Sequence, residues 1–132
     1  LFDFTKNMLD KKKINVYNYG DMKRDFTYID DILDGIVLIL NARSNIESNS
    51  IFNIGYGEQV QLMDFVKEIE GHACDTCCGE EANINLAPRH PADTLETWSN
   101  THKLQQYGYK PKTDIKTGVE NFFDWYEDYF NV

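Results

Sequence analysis

The sequence predicts a mixed α/β domain, on three observations. Apolar residues recur at helical spacing around 32–40, 62–69 and 115–130. Short β-branched and aromatic runs at 14–19, 51–54 and 84–86 alternate with them. The 132 residues, 42% hydrophobic and 14% aromatic, suffice for one domain with a real core and argue against disorder.

Phe2, Phe4, Met8 and Leu9 predict a first helix that ends near the lysine run 11–13. Ile14, Val16, Tyr17 and Tyr19 predict extended structure closed by Gly20. Phe26–Ile29 is expected to be a short strand leading into a helix capped by Asp30 or Asp31. The stripe of that helix is Ile32, Leu33, Ile36, Val37 and Leu40, and its acidic start suits the helix dipole. Residues 41–49 are polar and read as a loop. Ser50–Ile54 has the composition of a buried strand, stopped by Gly55 and Gly57.

Leu62, Phe65, Val66 and Ile69 mark another amphipathic helix, which Gly71 is expected to end. Residues 71–83 read either as a loop or as an extension of that helix. Ile84 and Leu86 predict a short strand before Pro88, followed by a polar loop through Asp93. Asn100 or Thr101 caps a short helix that stops before Gly108. In the last helix Ile115, Val119, Phe122, Phe123, Tyr126 and Phe130 share one face, with Thr113 as the expected cap. Gly118 costs that helix roughly 1 kcal/mol relative to alanine and either admits a neighbouring backbone or is simply tolerated.

The net charge of −9 argues against nucleic acid and anionic membrane surfaces as partners, and no apolar run reaches membrane-spanning length. A small anion needs only one or two cations. The opening Leu1-Phe2-Asp3-Phe4, without methionine, is expected to reflect processing or a longer parent. Cys74, Cys77 and Cys78 make a poor disulfide framework and suit a reducing, cytoplasmic setting.

Arg24 is the leading functional candidate, because a guanidinium grips a phosphate with two parallel hydrogen bonds. The competing reading is a surface ion pair with Asp25 or Asp31. Arg89 lies between Pro88 and Pro91, which restrict the backbone around it; Asp93 either holds Arg89 or accepts from a ligand hydroxyl. His90 is either an acid–base group or an ordinary loop histidine. His72, Cys74, Cys77 and Cys78 have the chemistry of zinc ligands but are crowded into seven residues, and free thiols are the expected state. Tyr17, Tyr19, Tyr28, Trp98 and Tyr107 either stack on a base or sugar or pack in the core. There is no glycine-rich dinucleotide fingerprint, phosphate loop or serine nucleophile elbow.

Five stretches together resemble one family: FTKNMLDKKKINVYNYGDMKRDFTYIDDILDGI (4–36), IFNIGYG (51–57), PRHPADTLETWSN (88–100), YGYKPKT (107–113) and GVENFFDWYEDYF (118–130). They resemble the C-terminal part of nucleotide-sugar epimerases of the extended short-chain dehydrogenase/reductase superfamily. Within it they are most similar to the bacterial UDP-glucuronate 4-epimerase group of capsular polysaccharide biosynthesis. The resemblance covers nearly the whole chain and departs over 71–85.

The resemblance implies that 1–132 is the UDP-sugar-binding C-terminal portion of an extended Rossmann-type enzyme. An N-terminal domain outside this chain would bind NAD and carry the catalytic tyrosine and lysine. The fragment itself is then expected to bind no NAD and to be inactive. The implied role of Arg24 is contact with the diphosphate, with Arg89 as a second phosphate ligand and Asp93 beside the ribose or the arginine. Asn15, Val16 and Tyr17 would bracket the uracil, and Phe4 would line that side of the cleft. Ala92, His90 and Asn100 replace the family's usual glycine, glutamine and aspartate, which bears on substrate more than on fold. Residues 51–54 would complete the sheet of the larger domain, so the excised chain is expected to self-associate. The alternatives are a stand-alone UDP-sugar binding module and a fragment of a related decarboxylase or dehydratase.

Overall fold

A computed structural model describes residues 1–76 and 81–132. Its elements are α1 (Phe2–Leu9), β1 (Ile14–Tyr17), β2 (Lys23–Arg24), α2 (Ile29–Ala42), β3 (Val60–Gln61), α3 (Leu62–Thr76), β4 (Ile84–Ala87), α4 (His102–Gln105) and α5 (Ile115–Phe130). β1 pairs in parallel with β4, Ile14 opposite Ile84 and Tyr17 opposite Ala87. β2 pairs antiparallel with β3, and Lys23 also bridges to Glu96. The core gathers Met8 of α1, Ile14 and Val16 of β1, Phe65, Val66, Ile69 and Ala73 of α3, and Val119 and Phe123 of α5. β1 alternates buried and exposed residues, as a strand with one covered face must.

Several predicted elements take a different form, each for a local reason. The first strand stops at Tyr17 because Asn18, Tyr19 and Gly20 turn left-handed, with φ of 51°, 54° and 82°. Glycine suits position 20 because of its φ of 82°, and a Cβ there would also force the Met63 side chain, 2.5 Å away, to shift. Phe26–Ile29 is not a strand: ladder pairing occurs at 23–24, and Phe26 stacks on Phe65 at 4.0 Å between centroids. Ser50–Ile54 forms no strand either, since no described strand lies alongside to share its hydrogen bonds.

The expected caps also move. α2 begins at Ile29 with Tyr28 as N-cap, and neither Asp30 nor Asp31 caps it. Asp31, 2% exposed, instead accepts the N–H groups of Lys112 (2.9 Å) and Thr113 (3.0 Å). Thr113 is therefore spent on α2, and Asp114 caps α5 by accepting Thr117 N–H at 2.8 Å. That bond is the first cause of the lowered Asp114 pKa. α3 runs through Gly71 to Thr76, because nothing stands near Gly71 to stop it. At Gly118 the near neighbour is the Tyr28 ring rather than a backbone.

The apolar stripe of α2 has little over it. Ile29, Leu33, Ile36, Val37 and Leu40 are 43–63% exposed, and Ile51 is 82% exposed. A helix this apolar normally buries such a stripe.

Thr5 presents the opposite problem: it is 0% exposed and its hydroxyl has no hydrogen-bond partner among the described residues. Thr5→Val removes the unsatisfied hydroxyl at nearly constant shape. It is expected to raise stability by about 0.5–1.5 kcal/mol, read as a higher urea midpoint at unchanged m-value.

Candidate functional site

β2 is only two residues long, yet it places Arg24 where three chain segments meet. Arg24 Nη1 donates to the carbonyls of Lys23 (2.9 Å) and Leu95 (3.0 Å). Nη2 donates to the carbonyl of Thr94 (2.6 Å) and to Asp93 Oδ1 (3.0 Å), and lies 3.4 Å from Met22 Sδ. The ion-pair partner is thus Asp93, not Asp25 or Asp31. The Arg24 side chain is 20% exposed.

Arg89 follows β4 by two residues and is exposed; its Nη1 donates to the Asp93 carbonyl at 3.3 Å. Asp93 therefore holds Arg24 through its carboxylate and Arg89 through its backbone. These groups lie just beyond the carboxyl ends of β1 and β4, the end at which parallel α/β sheets bind ligands. Tyr17, 47% exposed, ends β1 at the same edge. The Asn15 side chain accepts from Asn85 Nδ2 at 2.8 Å.

Not every residue expected at the cleft reaches it. Val16 is 0% exposed and its side chain belongs to the core, so the strand's alternation points it away from any ligand. Phe4 is half-buried and packs against the same core. His90 takes part in a loop stitch: its Nδ1 accepts from Ala92 N–H at 3.2 Å and its carbonyl from Asp93 N–H at 2.9 Å. One Tyr-x-x-x-Lys spacing does occur, Tyr19 to Lys23, but the first sits in a left-handed turn and the second on β2. They share no helical face. The His72 ring stacks on Phe123 at 5.3 Å, Cys74 is half-buried, and Cys77 and Cys78 lie outside the described residues. Among the described residues no group of acidic, histidine and cysteine side chains is arranged to hold a metal.

Asp25, noted in the sequence only as a partner for Arg24, is the centre of a second network. Its Oδ1 accepts from Tyr56 and Gly57 N–H, each at 3.2 Å. Its Oδ2 accepts from Gly57 N–H (3.1 Å), Ser99 N–H (2.9 Å) and the Ser99 hydroxyl. Tyr109 reinforces the same turn by donating its hydroxyl to the Gly55 carbonyl at 3.0 Å. Burial first, then the charges of Asp31 and Asp25, raise the Tyr109 pKa, so it remains a donor. No spacing rule links Asp25 to turns some 30 and 74 residues away. The network borders a shallow depression of ≈ 450 Å³ lined by Asp25, Phe52, Gly55 and Trp98 among others, and Arg24 and Arg89 are not in its wall.

Residues 1–55 match the NAD dependent epimerase/dehydratase family. An uncharacterized 37.6 kDa protein of Escherichia coli O111:H- is 40% identical over the whole chain. Protein CapI of Staphylococcus aureus is 36% identical over 98% of it. The UDP-glucuronic acid 4-epimerase of Bacillus cereus, solved with UDP-glucuronic acid and NAD, superposes on 96% of the chain with a TM-score of 0.82 at 29% identity.

The family model covers residues 1–55, and the relatives carry the similarity over nearly the whole chain. The chain spans only 43% and 42% of the two curated relatives and 38% of the solved epimerase chain. Arg24, Asp25 and Asp31 fall inside the family match, whereas Arg89 and Asp93 fall beyond it. This mixed α/β fold is shared more widely. A dTDP-glucose 4,6-dehydratase of Bacillus anthracis superposes with a TM-score of 0.76 at 21% identity, a likeness of fold alone.

Proposed function

We propose that this chain is the nucleotide-sugar-binding portion of a UDP-sugar 4-epimerase of the UDP-glucuronate or UDP-glucose type, serving surface polysaccharide precursor synthesis. The observation that carries it is the convergence of Arg24, Arg89 and Asp93 beyond the carboxyl ends of a parallel strand pair. Two guanidiniums gathered at Asp93 can set a positive local potential in a chain of net charge −9. The relatives add support: the similar Bacillus cereus enzyme is a UDP-glucuronic acid 4-epimerase solved with that sugar nucleotide. Tyr17 and the backbone of Asn15 and Val16 would then face the uracil, and Asp93 the ribose.

NAD would supply reversible hydride removal at the sugar carbon that is inverted. The described residues of this chain do not fit it. The turn nearest to a glycine-rich cradle, Gly55–Gly57, gives the N–H groups of Tyr56 and Gly57 to Asp25 rather than leaving them for a phosphate. The cofactor and the catalytic groups would lie in an N-terminal part of the complete protein. The bare stripe of α2 and the unpaired segment 51–54 are the surfaces that part would cover. The role of this chain is binding and orientation.

Calorimetric titration with UDP on the complete protein tests the reading. Arg24→Ala is expected to weaken UDP at least tenfold, since a hydrogen-bonded charge pair with phosphate is worth about 1.5–3 kcal/mol. Unchanged affinity in a folded variant would remove Arg24 from the site.

A further inference from the structure

We propose that Asp93 competes internally for the anion site, so that a diphosphate gains Arg24 and Arg89 by displacing Asp93 together with the short loop that carries it. The inference rests on the reading that Arg24 grips the diphosphate. The two terminal nitrogens of a guanidinium carry four N–H groups. Those of Arg24 already face the Asp93 carboxylate, the carbonyls of Lys23, Thr94 and Leu95, and Met22 Sδ. A bidentate phosphate needs two parallel N–H groups at once. It can have them only if part of the 93–95 loop withdraws. Asp93 presents an anionic oxygen at 3.0 Å, in the way a phosphate oxygen would, so it is the ligand's most direct rival.

The same residue restrains the second cation, because Arg89 Nη1 donates to the Asp93 carbonyl. Withdrawal of Asp93 therefore frees both arginines together. The loop is a short unit with a tie on each side: the stitch from Asp93 N–H to the His90 carbonyl closes it at one end. At the other end Lys23 N–H holds the Leu95 carbonyl at 3.0 Å and Thr97 N–H holds the Lys23 carbonyl at 3.1 Å. The swap exchanges an intramolecular ion pair for an intermolecular one. The site's affinity is then the difference between the two.

The experiment uses the complete protein and two probes, inorganic pyrophosphate and UDP, titrated against wild type, Asp93→Ala, Asp93→Asn, Arg24→Ala and the Arg24→Ala/Asp93→Ala double variant. Pyrophosphate reads the anion grip without a ribose. Both Asp93 variants are expected to bind pyrophosphate more tightly, by up to about fivefold, the range of a partly exposed ion pair. The gain should vanish when Arg24 is absent. If Asp93 also holds the ribose, UDP gains less than pyrophosphate, which supports the competition and assigns the second role. Pyrophosphate affinity that is unchanged or lower in both Asp93 variants, while Arg24→Ala still weakens it, overturns the competition and leaves Arg24 in the site. No effect of Arg24→Ala on either probe overturns both readings.

Discussion

Asp25→Ala is expected to destabilise the protein by about 2–3 kcal/mol and to loosen the ligand loop with it. Hydrogen bonds to a charged acceptor are individually worth about 1.5–3 kcal/mol, and stranded donors add a penalty of their own. This carboxylate serves Tyr56, Gly57 and Ser99 at 2.9–3.2 Å. It is half-buried, so water recovers part of the loss, which is why the figure stays well below the sum. Asp25→Asn should not rescue it, because its amide would turn two N–H groups toward backbone donors. Urea unfolding gives the stability. Titration with UDP gives the second readout, since residues 97–99 continue directly into the 93–95 arm that holds Arg24. A stability loss below about 0.5 kcal/mol would mean that the turns at 55–57 and 99 hold without this tie.

The 132-residue chain on its own is expected to associate with itself through α2, and Leu33→Glu with Val37→Glu is expected to return it to a monomer. Leu33 is 50% and Val37 52% exposed, within a stripe that continues through Ile36 and Leu40. Burying the exposed half of five such side chains is worth on the order of 5 kcal/mol before the cost of association. Light scattering across a concentration series measures it directly. A wild-type chain that stays monomeric at every concentration would sink the expectation. In the complete protein the same double variant should instead lower stability, because there the stripe would be covered by the remainder of the fold. Association stabilises the folded chain by mass action, so the unfolding midpoint of the isolated wild type should rise with concentration while that of the double variant should not.

The helices and the candidate charged groups can be read from local pattern alone. The stripes of α3 and α5 carry their own period, and Phe65, Val66, Ile69, Val119 and Phe123 all enter the core. Arg24, Arg89 and Asp93 stand out in the sequence by their chemistry and by the resemblance of their stretches to one family, and the packed chain brings the three together. The short parallel strand 84–87 was legible from two β-branched and apolar residues before a proline.

Which group partners which is set by packing between distant segments. Asp93 rather than Asp25 pairs with Arg24, and Asp25 instead gathers turns from 56–57 and 99. Asp31 gives up capping its own helix to hold the backbone at 112–113, so Asp114 takes the cap of α5. Val16 faces the core because the register of β1 against β4 fixes the side to which each residue turns. Residues 51–54 have the composition of a strand, but strand structure requires a partner's hydrogen bonds, and composition cannot say whether that partner is in the same chain. Periodicity is a local property that a sequence carries within itself. Carboxylate partnership and strand pairing join residues dozens of positions apart, and only the packed chain brings those together.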